Sequence, residues 1–156
     1  MNLFREINYK ATAKNTEHFL TYWLPKLILK SGRQLTDLSS PKLSYANTHS
    51  NYGNATENKL VNGMDAEVVI QAIHRTIYGC PILSRKILVS LYIKHASPQS
   101  LIASLPYERA YFFKVLKPQA LNCFADGYDF WQCKLNVDMS DRQDLHIYMD
   151  NTKVDY

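Results

Sequence analysis

Residues 97–125 read SPQSLIASLPYERAYFFKVLKPQALNCFA, and the order of apolar residues and helix breakers in this run shapes expectations for the whole chain. Ser97 is a good helix N-cap. Pro98 falls at the first helical position, where its missing N–H costs nothing. Leu101, Ile102 and Leu105 form one apolar face before Pro106 breaks the helix. A longer amphipathic stretch runs from about Tyr107 to Ala125, with Phe112 turned inward and Val115, Leu116 and Phe124 available for packing. Short helix, tight break and longer basic helix form the outline of a helix-turn-helix. Pro118 predicts a kink in the longer helix.

Working upstream, a helix is expected over about Ile82–Ile93, with Ile82, Leu83, Ile87, Leu88, Leu91 and Tyr92 inward. Another starts near Asn54–Glu57 and carries Leu60, Val61, Met64, Val68, Ile73 and Ile77 to Gly79. Residues 31–56 hold Gly32, Pro41, Gly53 and many Ser, Asn and Thr, and read as a long loop. Asn15 or Thr16 caps an N-terminal helix to about Lys30, with Phe19, Leu20, Trp23, Leu24, Leu27 and Ile28 on one face and Pro25 as a kink. Downstream of Gly127, Leu135–Asp138 and Leu145–Met149 alternate like short strands. The fold class expected is all-α: a helical bundle with a C-terminal helix-turn-helix, a long loop at about 31–56, and a short β-hairpin or a disordered tail at the C-terminus. The parts are 1–56 (helix and loop), 57–128 (helical domain with the 97–125 motif) and 129–156 (acidic tail).

With 156 residues, 46% of them hydrophobic, the chain can bury a core. No apolar run approaches the ~20 residues of a membrane span, and the N-terminus lacks a signal-peptide core, so a cytoplasmic protein without membrane partners is expected. The net charge of +4 is unevenly spread. Residues 81–125 hold six basic side chains against Glu108 alone, a net +5, whereas residues 126–156 hold three against seven, a net −4. A basic segment ahead of an acidic one suits a polyanion-binding element with an appendage. A pair of helices with a merely solvated basic face is the plainer alternative.

Catalysis is not expected. There is no Gly-rich phosphate loop, no His-x-x-x-His pair and no Gly-x-Ser-x-Gly turn. His18, His49, His74, His95 and His146 are scattered singly and read as surface or packing residues. Cys80, Cys123 and Cys133 form no Cys-x-x-Cys pair and read as buried thiols. Neither a metal nor a cofactor is expected. The positions that point to double-stranded DNA are Arg109, Tyr111, Phe113 and Lys114, where a recognition helix enters the major groove. Lys117, Arg85 and Lys86 are expected to reach phosphates.

Two runs carry a resemblance. Leu35-Thr36-Asp37-Leu38-Ser39-Ser40-Pro41-Lys42-Leu43-Ser44, followed by Tyr52-Gly53-Asn54 and Glu57, is similar to a segment of the ArpU family. Leu105-Pro106-Tyr107-Glu108-Arg109-Ala110-Tyr111-Phe112-Phe113-Lys114, then Ala120-Leu121 and Phe124-Ala125, resembles that family's sigma-region-4-like reading head. These are autolysin-regulator-like transcriptional regulators of phage late genes. The resemblance implies a DNA-binding activator of packaging and lysis genes without enzymatic activity. In this chain Ile102, Pro106 and Glu108 depart from the usual small alanine, turn glycine and serine cap. The alternatives are a protein-interaction module that docks on RNA polymerase or another regulator, and a small terminase-type DNA-packaging subunit. Binding as a homodimer would add affinity that one short reading head lacks.

Overall fold

The computed structural model describes residues 5–43 and 66–149, and over these the protein is an all-α helical bundle. The first helix forms because Asn8 caps it, its Oδ1 accepting from the Ala11 N–H at 3.1 Å. It runs as α1 (Tyr9–His18), a π turn (Phe19–Trp23) and α2 (Leu24–Ser31), ending at Gly32 with φ of 76°. This start is two turns earlier than expected from Asn15 or Thr16. The added turns bury Thr12 and Ala13, small side chains that leave no hydropathy stripe. Asn15 donates instead to the Leu145 carbonyl at 2.9 Å.

Beyond Gly32 a 3-10 turn (Leu35–Ser39) buries Leu38 completely and packs on residues 89–93, and it is bonded to α3 (Ala66–Gly79). Arg33 clamps Glu67 through Nε at 2.8 Å, and Tyr78 Oη donates to the Ser39 carbonyl at 2.7 Å. The described part of the expected loop, residues 32–43, is thus tied to the bundle. Leu60, Val61 and Met64, placed on a helix by their spacing, lie outside the described residues.

α4 (Ile82–Leu88) continues through a π turn (Val89–Ile93), then α5 (Pro98–Ala103) follows. Ser97 Oγ accepts from the Ser100 N–H at 3.2 Å, so the expected cap and N1 proline are in place. After Pro106, α6 (Arg109–Tyr111), a π turn (Phe112–Leu116) and α7 (Lys117–Lys134) form one continuous helix. Pro25 and Pro118 each follow a π turn, in which the Leu24 N–H reaches the Phe19 carbonyl and the Lys117 N–H reaches that of Phe112. The wider turn takes up the proline misfit, and both helices continue.

α7 is the central element, packed on α1, α3 and α4. It buries Leu121, Phe124 and Tyr128, whose rings meet Phe19 at 5.3–6.2 Å. Each such side chain contributes about 1.5–3 kcal/mol of burial. α7 and α3 approach closely: a Cβ on Gly127 would sit 3.4 Å from Thr76, and one on Gly79 would sit 3.3 Å from Trp131.

Four further expectations are corrected. Trp23 is 43% exposed, off the buried face of its helix. Ile82 is 79% exposed, because it opens its helix on the solvent side. Cys133 is exposed, while Cys80 is buried and its thiol is pushed up to about 12 by burial. No C-terminal hairpin forms among the described residues. The helix runs on to Lys134, and residues 135–149 return as an extended segment with one 3-10 turn (Met139–Asp141). That segment pairs with the N-terminus through Asn8 N–H to Ile147 O at 2.8 Å and Met149 N–H to Glu6 O at 2.7 Å. The alternation of its apolar residues is not a buried face: Leu145 is buried, while Ile147 and Met149, which would share its face in a strand, are exposed. No helix among the described residues is long and apolar enough to cross a membrane.

Candidate nucleic-acid interface

The helix that begins at Arg109 has one buried edge. Phe112 and Leu116 point into the core, with Phe112 wholly buried. That anchorage turns Ala110, Tyr111, Phe113 and Lys114 to solvent, and Arg109, three residues before Phe112 on the same side, is exposed because it opens the helix. Glu108 stands at the N-cap with extended backbone, and its side chain makes no capping bond. The first turn therefore presents uncapped N–H groups, the positive end of the helix dipole, alongside Arg109.

Aromatic rings are exposed around this end. Tyr107 and Tyr111 stack at 5.5 Å between centroids. The Arg109 guanidinium lies 5.2 Å from the Phe113 ring centroid, and the Lys117 ammonium 5.8 Å from the same ring. Arg109, Tyr111, Phe113, Lys114 and Lys117 thus occupy one continuous helical stretch. Lys117 is also paired, with Nζ 2.8 Å from Glu17 Oε2. The Glu17 carboxyl, raised by burial, is held below its ordinary range by the bonds from Lys117 and Tyr92.

The other two positions lie apart. Arg85 is half-buried and donates through Nη2 to the Tyr78 and Cys80 carbonyls at 2.8 and 3.4 Å, closing the C-terminal end of α3. Its Nε is buried without a partner among the described residues. Lys86 is exposed and borders a separate hollow with Lys94, which no residue of the 109–117 stretch lines. Two lysines not singled out from the sequence, Lys10 and Lys14 of α1, border the 113–117 stretch. Their signal was an i, i+4 lysine pair, separated in sequence by a hundred residues from the helix it faces.

The opposite end of α7 is acidic and closed. His146 Nε2 lies 2.8 Å from Asp126 Oδ1, and Nδ1 lies 2.6 Å from Asp144 Oδ1 and 3.5 Å from Asp129 Oδ2. Burial alone would depress this imidazolium. The bonds from Asp126 and Asp144 outweigh it and raise the group above its ordinary value. Asp129, Asp144 and His146 offer ligand atoms within 4.8 Å of one another.

Fold and surface together define an all-α bundle that displays the basic, aromatic start of its central helix. A curated protein of Enterococcus hirae named "Putative autolysin regulatory protein ArpU" is similar to this chain. The two are 29% identical over 134 residues, covering 82% of this chain and 93% of that protein. No family model matches the chain, and no solved structure matches it.

Proposed function

We propose that this protein is a sequence-specific DNA-binding transcription regulator whose helix-turn-helix spans Ser97–Ala125. The observation that carries this reading is the solvent-facing helix start, where Arg109, Tyr111 and Lys114 project from a helix anchored by Phe112. The Arg109 fork reads a guanine edge in the major groove, and Lys114 and Lys117 hold phosphates. The named role of the Enterococcus hirae protein supports a regulatory function. The resemblance to ArpU-type regulators supports activation of phage packaging and lysis genes. The exposed Tyr107, Tyr111, Phe113 and Val115 favour a second reading, in which this end docks on RNA polymerase.

The test is a titration of wild type, Arg109→Ala and Lys117→Ala against a duplex selected from a random pool and against its scrambled counterpart. Arg109→Ala should lose affinity chiefly for the selected duplex, by about 1–3 kcal/mol. Lys117→Ala should weaken both alike and reduce the salt slope by about one unit. Equal losses on both duplexes for Arg109→Ala would contradict base reading. Polymerase retention without duplex binding would support the second reading.

A further inference from the structure

α1 and the start of the long helix run antiparallel where they meet. Asn122 Nδ2 donates to the Tyr9 carbonyl at 3.1 Å, and Lys117 pairs with Glu17 at 2.8 Å. A groove of about 580 Å³ lies along this seam, with Ala13, Pro118 and Leu121 among its apolar lining. Four lysines line it: Lys10, Lys14, Lys114 and Lys117. They face one lining carboxylate, Glu17, which already accepts from Lys117 and from Tyr92 Oη. Lys10, Lys14 and Lys114 are exposed, and their side chains make no hydrogen bond or ion pair among the described residues.

Lys10 and Lys14 stand in the first two turns of α1, where the helix dipole disfavours cations, and no acidic residue stands in the first turn to offset it. The result is an uncompensated positive field along the groove. Lysine stems can lie over the apolar lining while their ammonium groups reach the rim. Four residues of helix place Lys10 and Lys14 about 6 Å apart along the axis, enough to meet separate phosphates. Phe113 and Lys114 belong both to this groove and to the exposed helix end, so the two surfaces are continuous.

We propose that the groove between α1 and the long helix is a second nucleic-acid contact, in which Lys10, Lys14 and Lys114 hold the sugar–phosphate strand flanking the major groove. The inference rests on the DNA-binding reading and adds to it the path of the backbone. Charge complementarity favours this occupant: among the described residues three ammonium groups without partners face one lining carboxylate, Glu17, which is already engaged.

The experiment measures fluorescence anisotropy of the full chain on a labelled random-sequence duplex about three helical turns long, over a fourfold range of salt. Wild type is compared with the double variant Lys10→Gln/Lys14→Gln and with Lys30→Gln/Lys134→Gln, which removes equal charge outside the groove. The groove variant should bind tenfold or more weakly at about 0.1 M salt, with a log–log slope shallower by about two units. Each single groove variant should account for about one unit, and the control should keep most of the wild-type slope. Equal losses in both doubles would reduce the effect to net charge and overturn the proposal. A groove variant that binds like wild type would also overturn it, leaving the DNA reading intact and assigning the groove to a different partner. Wild type that binds no duplex would overturn both. Both groove positions are exposed on a helix, so circular dichroism and the melting midpoint should match wild type.

Discussion

The long helix from Arg109 to Lys134 ends in two contrasting environments. At its start the cap residue makes no capping bond, aromatic rings face solvent, and Arg109 and Lys114 lack carboxylate partners among the described residues. At its finish, Gln132 is buried and fully engaged: Nε2 donates to the Gln143 carbonyl at 2.8 Å, and Oε1 accepts from the Gln143 N–H at 2.8 Å. The neighbouring Asp126, Asp129 and Asp144 enclose His146. A network whose donors and acceptors are matched contributes to the fold, because removing one member strands the others. An end that leaves cations and rings in water contributes little to stability and is available to a partner.

The largest expected effect that separates the two ends is Gln132→Leu. It strands the Gln143 N–H and carbonyl and should cost about 2–4 kcal/mol in urea unfolding. Duplex affinity should be unchanged well below the melting midpoint. A matching loss of affinity in fully folded protein would show that the ends are not separable. Arg109→Ala should behave conversely, costing about 1–3 kcal/mol of base discrimination. Its unfolding free energy should stay within about 0.5 kcal/mol of wild type, as for an exposed surface change. Glu108→Ser sharpens the contrast further. Serine can cap the helix, worth about 0.5–1 kcal/mol in thermal unfolding, and the lost carboxylate should tighten duplex binding. Weaker binding by that variant would show that Glu108 itself contacts the ligand.

The smallest effect is a pair of opposed pH slopes. The folded protein holds His146 above its ordinary value, so this group's stabilisation is complete below about pH 6.5 and is lost as pH rises through the raised value. Burial holds His74 below its ordinary value despite the bond to the Ser40 carbonyl. Its contribution is present above about pH 6.5 and is lost as pH falls through the lowered value. Between about pH 5 and 8 the two oppose each other. His146→Asn should therefore leave stability that rises with pH, and His74→Gln stability that falls. Equilibrium unfolding across that range checks both signs, and slopes of the same sign would break the assignment.

Much of the fold was legible in sequence. Leu20, Leu24, Leu27 and Ile28 recur with helical spacing, and Ser97-Pro98 marks a helix start that the structure keeps. The first turns of α1 were hidden because Thr12 and Ala13 pack by being small rather than apolar. The C-terminal segment read as a hairpin or a disordered tail because its apolar residues alternate in sequence, yet of Leu145, Ile147 and Met149 only Leu145 is buried. What holds the segment is the bundle, reached through polar contacts of Gln132, Asn15 and Thr12 that span up to 135 residues. The exposed positions Ala110, Tyr111 and Lys114 were legible because Phe112 and Leu116 define their opposite, and Arg109 because Pro106 sets where the helix can begin. Charge alone could not reveal that Arg85 turns inward to close α3, nor that Lys10 and Lys14 lie beside Lys114.

On the DNA-binding proposal, the start of the long helix meets duplex DNA while its finish serves the fold. Amide and side-chain chemical-shift mapping of the full chain during titration with duplex tests it most directly. Shifts should concentrate at Arg109–Lys117, extend to Lys10 and Lys14, and fade as salt is raised. Resonances of Asp126, Gln132 and His146 should stay in place. Shifts centred on the acidic end, or none at the Arg109 end at saturating duplex, would contradict it.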